Sequence, residues 1–330
     1  MNIRKLITVF IGLCFLQIGK TNAQQNIQFT QYIFNSLSVN PAYAGYKEEW
    51  FVQLGLRAQW LGMEGAPQTA TASIDGILDP QERKMGVGFQ VTTDKIGAQS
   101  STSATLNYAF RLQLNGEDTQ RLSFGLGVGA AQYSLKGGML NTIQPGDEAL
   151  PVGSQSNIVP DFRLGIFYNS DYWYLGLSAL DIFSGPDKKR DQSSSLNIIR
   201  SRHAYMMGGA LINISPEFRI RPSLLIKEDF RGPTSADFNT MLIINDKVWI
   251  GGSIRTGFNL WKKQTSAASL SKENSVSGII QFFVNERFRI GYSYDQVTSA
   301  LGSSQNGSHE ITMGLAFGKA PRSFICPRVF

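Results

Sequence analysis

Few residues in this 330-residue chain stand at spacings that could do chemistry. Its two histidines, His203 and His309, have no partner at the spacing that metal-ligand sets use. No nucleophile elbow accompanies them, so they are expected to line a lumen or a rim rather than to ligate metal or serve a triad. The run Gly125-Leu126-Gly127-Val128-Gly129 has the look of a phosphate-binding fingerprint. That fingerprint needs strand, turn and then helix. Here an alternating apolar set, Leu122, Phe124, Leu126 and Val128, continues straight through it. The glycines therefore read as a strand stripe without side chains, against which something can pack closely. Cys14 lies in an apolar leader and Cys326 near the carboxyl end, so neither a disulfide framework nor a Cys-rich metal site is expected. No catalytic residue, metal site or cofactor is assigned, and the chain is expected not to be an enzyme.

The charges are more informative. Arg57, Arg111, Arg163, Arg219, Arg221, Arg255, Arg287, Arg289, Asp161, Asp295 and Glu310 fall on the polar side of alternating segments. Such a set can act as a selectivity ring in an open pore. Mixed signs favour the other arrangement, in which the charges satisfy one another or a plug, because buried charge needs partners.

The elements that position these residues follow from the period. In residues 310–318, Ile311, Met313, Leu315 and Phe317 alternate with Glu310, Thr312, Gly314, Ala316 and Gly318. In 287–295, Phe288, Ile290, Tyr292 and Tyr294 alternate with Arg287, Arg289, Gly291, Ser293 and Asp295. A period of two puts each set on its own face of a sheet. Alternating units of this kind run from residue 49 to the end, giving about 14 antiparallel strands. Their spans are 49–60, 68–78, 84–94, 99–114, 119–135, 158–169, 171–182, 201–214, 217–229, 235–245, 247–257, 275–285, 287–297 and 308–318. Short turns such as Asn245-Asp246 alternate with long connections such as Gly137 to Asn157. Short turns on one rim and long loops on the other predict an all-β fold, a transmembrane outer-membrane β-barrel. An even strand number puts both ends on the short-turn, periplasmic rim.

The flanks divide the chain further. Residues 1–23 read as a secretory signal: basic Arg4 and Lys5, apolar Leu6 to Ile18, and a small-residue cleavage site ending at Ala23. Without it, 28 basic residues face 25 acidic ones, too mild an excess to argue for nucleic acid. Past the signal no stretch reaches about 18 consecutive apolar residues, so no spanning helix is expected. Residues 24–48 are amide-rich and aromatic and lie outside the barrel pattern, a plug-like or periplasmic segment. A short helix over 34–44, ended by Asn40-Pro41, is expected within it. Residues 49–318 form the barrel and 319–330 a periplasmic tail.

Several blocks carry a family resemblance. Gln28-Phe29-Thr30-Gln31-Tyr32-Ile33-Phe34-Asn35 is followed by Asn40-Pro41-Ala42-Tyr43-Ala44-Gly45. Arg57-Ala58-Gln59-Trp60, Gly65-Ala66-Pro67-Gln68-Thr69 and Ser73 come next, and Cys326-Pro327-Arg328-Val329-Phe330 closes the chain. In this order they resemble the PorP/SprF family of type IX secretion and gliding proteins. Thr30 stands where the family usually has Ser, and Ser36-Leu37-Ser38-Val39 falls in a stretch that varies. The resemblance implies a non-enzymatic outer-membrane barrel. It further implies partners among type IX components: translocon, periplasmic ring or peptidoglycan-linked proteins. It also implies cargo such as adhesins with a C-terminal targeting domain. It points to Gln28, Phe29, Gln31, Tyr32, Phe34, Asn40, Pro41, Tyr43 and Gly45 as partner-binding residues. A channel for a small solute is the alternative.

Overall fold

The computed structural model describes residues 29–139, 153–183, 201–230, 232–258, 260, 274–298, 302 and 304–317. The expected signal, residues 24–28, the tail with Cys326, and most of the longest loops lie outside the described residues.

Fifteen strand segments form one antiparallel sheet: β1 (Trp50–Ala58), β2 (Gln68–Ile77), β3 (Met85–Ile96), β4 (Gln99–Gln113), β5 (Arg121–Lys136), β6 (Ser154–Asn169), β7 (Trp173–Leu180), β8 (His203–Ala210), β9 (Ile212–Asn213), β10 (Phe218–Glu228), β11 (Thr234–Ile244), β12 (Val248–Phe258), β13 (Ser275–Phe283), β14 (Phe288–Val297) and β15 (Ser308–Phe317). Both β8 and β9 pair with β10, so they are two parts of one stave interrupted at Leu211. The remaining order runs neighbour to neighbour, and β1 pairs with β15. The result is a closed barrel of 14 staves. Closure leaves no unpaired edge, which lipid requires because it offers backbone groups no hydrogen bonds.

Alternation decides which way each side chain points. Along β15, Glu310, Thr312 and Ala316 are buried in the lumen while Ile311, Met313, Leu315 and Phe317 face outward and are exposed. The same outward apolar set recurs around the wall, with Leu54 and Leu56 on β1, Phe89 on β3, Leu106 on β4, Phe124 and Leu126 on β5, and Ile280 and Phe282 on β13. A continuous apolar belt around a polar interior is the reverse of a water-soluble protein, and it fits a hydrocarbon surround. Among the described residues no helix is long and apolar enough to cross a membrane; the strands do so.

Both ends of the strand series, Trp50 and Phe317, pair on one rim. This terminal rim carries the turns 78–84, 114–120, 170–172, 214–217, 245–247 and 284–287. In the turn after β11, Asn245 and Asp246 have φ of 49° and 56°. The connection has three residues, 245–247, and Lys247 N–H donates to the Ile244 carbonyl at 3.0 Å, so the two positive φ values sit at the corner of a tight turn, where Asn and Asp tolerate them. The opposite, loop rim carries the long connections, though 97–98 and 229–233 on it are also short.

Two expectations are corrected. Arg287 lies in the exposed turn before β14 and does not reach the lumen, because the inward series starts only at Arg289. The helix expected over 34–44 is replaced by three 3-10 turns, Tyr32–Phe34, Ser36–Ser38 and Pro41–Tyr43. Asn40 is extended (φ −142°, ψ 116°), as a residue before Pro should be. It does not end a helix but starts the third turn. Its Oδ1 accepts from Ala42 N at 2.9 Å, with Pro41 in the first position, where a missing N–H costs nothing.

The closing register is testable. Leu54 and Met313 are paired across β1 and β15 with both side chains outward. In a Cys326→Ser background, Leu54→Cys with Met313→Cys should cross-link within one chain on mild oxidation and shift its electrophoretic migration. A one-residue slip would put the two thiols on opposite faces and abolish the cross-link.

Candidate functional site: the lumen segment and its seat

Residues Thr30 to Tyr46 lie inside the barrel. Tyr32, Ile33, Phe34, Leu37, Ala42, Tyr43, Ala44 and Tyr46 are all buried against the wall. Contacts reach staves all round: Arg57 on β1, Asp75 on β2, the Ile166 carbonyl on β6, Ser178 on β7, Ser223 on β10, the Asp237 carbonyl on β11, Trp249 on β12, Arg289 on β14 and Glu310 on β15. The segment therefore spans the cross-section of the lumen.

Its second half is seated on glycines. A Cβ on Gly165 would stand 2.0 Å from Asn40 Oδ1, one on Gly125 2.1 Å from Ala42 N, and one on Gly86 2.0 Å from the Ala44 carbonyl oxygen. Asn40 Nδ2 donates to the carbonyls of Ile166 at 3.0 Å and Leu177 at 3.3 Å. The segment thus reaches backbone that side chains would otherwise cover. Gly45 has φ +71° and donates its N–H to Asp75 Oδ2 at 3.1 Å. Any Cβ there would also meet Gly86 Cα at 2.8 Å, so both conformation and space call for glycine. Of the stripe 125, 127 and 129, only Gly125 meets the segment. Gly127 faces Asn107 and Arg163, and Gly129 meets neighbouring β4.

The first half is held by charge at the loop-rim end of the lumen. Arg57 pairs with Asp295 at 2.5 Å and Glu310 at 2.9 Å, all three nearly fully buried. Glu310 accepts from the backbone N–H of Thr30 at 2.9 Å and of Gln31 at 3.2 Å. Thr30 Oγ1 accepts from Arg57 at 2.8 Å and donates to Asp295. Gln31 Nε2 donates to the Glu310 carbonyl at 3.2 Å, and its Oε1 accepts from Thr312 at 2.8 Å. Below this clamp, Arg289 Nη2 donates to the Phe34 carbonyl at 3.2 Å and Arg221 Nη2 to the Ile33 carbonyl at 3.4 Å. Their guanidinium carbons also lie 5.1 Å and 5.9 Å from the Phe34 ring centre, within cation–π range.

A second cluster fixes the exit at the terminal rim. Glu48 pairs with Arg83 at 2.9 Å and Arg111 at 3.1 Å, and Asp118 pairs with Arg83 at 3.1 Å and Arg121 at 2.6 Å. Glu48 is thereby joined to the turns 78–84 and 114–120, and its carboxylate holds the Arg83 guanidinium above its ordinary range. Elsewhere in the lumen Asp161 pairs with Arg163, and Asp237 with Arg255 and Lys227. Arg219 pairs with Asp246 at the terminal rim. A cavity of about 60 Å³ remains on the loop side, reached by Phe29, Tyr205 and Lys227.

The residues singled out for partner binding are placed as follows. Gln28 lies outside the described residues and Phe29 is partly buried. Gln31, Tyr32, Phe34, Asn40, Pro41, Tyr43 and Gly45 are buried against the barrel wall. Tyr43 packs edge-on to Phe167 at 5.6 Å. A partner touches these side chains only if the segment leaves the lumen. His203 sits at the loop rim, 3.2 Å from Asp181. His309 faces outward and contacts the Tyr292 hydroxyl at 2.7 Å. Alternation in 68–78 and 235–245 puts Asp75 and Asp237 on the polar face and would have found both. Nothing local marks Glu48.

Residues 21–315 match the model of a family described as type IX secretion system membrane protein PorP/SprF. No curated protein matches the chain. Among solved structures, the outer membrane protein Omp33 of Acinetobacter baumannii is 11% identical, with a TM-score of 0.45 over 82% of this chain and 98% of that one. A KdgM porin is 8% identical, with a TM-score of 0.38 over 81% of this chain and 99% of its own.

Arg57→Met should cost roughly 3–5 kcal/mol in denaturant unfolding, because it strands two buried carboxylates. Adding Asp295→Asn and Glu310→Gln should recover part of that loss; no recovery would mean the triad is not coupled. Gly165→Ala should overpack the seat and cost roughly 1–3 kcal/mol, whereas Gly278→Ala, which meets open space, should cost less.

Proposed function

We propose, for a chain that belongs to the PorP/SprF family of type IX secretion system membrane proteins, that the barrel is a plugged docking element and neither a conduit nor an enzyme. The observation that carries this reading is the lumen. Its own amino-proximal segment crosses it, and the inward arginines are committed to that segment or to neighbouring carboxylates. A channel for a small solute needs those charges free to set passage. Here Arg57, Arg255 and Arg289 are spent on holding structure.

In this reading the leader is removed near Ala23 and the barrel sits in the outer membrane with its terminal rim toward the periplasm. Machinery components, namely translocon, periplasmic ring or peptidoglycan-linked proteins, meet that rim and the tail. Cargo such as an adhesin with a C-terminal targeting domain meets the long loops, and the work served is secretion, motility or surface attachment. Gln31, Tyr32, Phe34, Asn40, Pro41, Tyr43 and Gly45 set the position of the segment, and Phe29 stands nearest the loop-side opening. Neither nucleic acid nor a cofactor has a place in it.

Affinity purification from native membranes should recover secretion components with the full-length chain, and less of them after truncation behind Lys319. In planar bilayers the intact protein should be silent, and deletion of residues 30–46 should open a conductance if the wall still assembles. An intact protein that conducts, and that brings down no secretion component, would sink the docking reading. For orientation, Ser154→Cys should react with an impermeant maleimide on intact cells and Gly116→Cys only after lysis. The reverse pattern would invert the barrel.

A further inference from the structure

The direction of the lumen segment has a consequence for the chain end. It joins the wall at the terminal rim, where Glu48 meets Arg83 and Arg111. Followed backward it does not return to that rim. Tyr43 and Ala42 lie against β5 and β6, Val39 rises to accept from Ser178 near the loop end of β7, and Phe34 dips again to Trp249 near the terminal end of β12. From Phe34 the chain climbs through Tyr32 to Thr30, which is clamped by Arg57, Asp295 and Glu310. All three stand at the loop-rim ends of β1, β14 and β15. Phe29 then enters the loop-side cavity beside Leu180, Tyr205 and Lys227, which likewise end or begin their strands at that rim.

We propose that the chain upstream of Phe29 leaves the barrel on the loop side, so that the amino end is presented on the face opposite the carboxyl-terminal strand end. Two physical facts support it. The route back is occupied by Gln31, Tyr32, Phe34, Val39 and Tyr43, all buried. The available chain is also short. Between a cleavage at Ala23 and Phe29 about five residues span at most roughly 18 Å when fully extended. The strand from Arg57 down to Trp50 covers roughly 23 Å at about 3.3 Å per residue.

The test compares one introduced thiol with a reference on each rim, so it holds whichever way the barrel is oriented. In a Cys326→Ser background, Gln25→Cys should react with an impermeant maleimide under the same conditions as Ser154→Cys at the loop rim. It should not follow Gly116→Cys at the terminal rim. An epitope inserted between Gln25 and Asn26 gives a second readout, antibody binding on the side that reads Ser154→Cys. Heat-modifiable migration confirms folding of each variant. Reaction together with Gly116→Cys, or protection of Gln25→Cys from both sides in a folded barrel, overturns the proposal. Failure of the secretion reading would leave this result unchanged.

Discussion

Fourteen staves enclose more space than inward side chains fill by themselves, and charge left in that space would lack partners. The lumen segment answers both demands at once. It brings apolar bulk in Tyr32, Phe34, Leu37, Tyr43 and Tyr46, and backbone N–H and C=O groups that the wall charges can bind. Arg57, Asp295 and Glu310 illustrate the balance. One cation sits between two carboxylates, and the surplus negative charge is taken up by the N–H groups of Thr30 and Gln31 and by the Thr30 hydroxyl.

The same demand accounts for the glycines. A strand glycine weakens a sheet unless something needs the space. At 86, 125 and 165 the space is taken by Ala44, Ala42 and Asn40, so the wall and the Asn-Pro-Ala-Tyr-Ala-Gly run are two halves of one fit. Gly127 and Gly129 make room for neighbouring strands and for Arg163 instead, and they belong to the wall.

On the docking reading proposed above, a barrel filled this way presents its rims and passes no solute. The ion pairs at its two ends support that use. The clamp at Thr30 fixes the loop side, and the cluster of Glu48, Arg83, Arg111, Asp118 and Arg121 ties the segment's exit to two terminal-rim turns. A partner bound at the terminal rim would meet a surface whose turns are fixed to the segment inside.

The sequence by itself determined the wall. A period of two fixes which side chains face lipid and which face inward, and the longest connections mark one rim, because both are local properties of a strand and its connection; the short links 97–98 and 229–233 show that length alone does not assign every turn. Asn40-Pro41 likewise signalled a break locally. Arg287 was misplaced because alternation does not say where a strand starts, and one residue outside the strand leaves the lumen. What only the tertiary structure decided is what meets in the middle. Thr30 and Glu310 are 280 positions apart, and Glu48 meets arginines on separate hairpins. Such pairings are set by closure of the sheet around the segment, which brings distant positions to one depth. The local sequence of 34–44 allowed a short helix up to Asn40-Pro41. Inside the barrel its backbone bends into three turns, because the glycine seats and the guanidinium groups are spaced for that path and not for a regular helix.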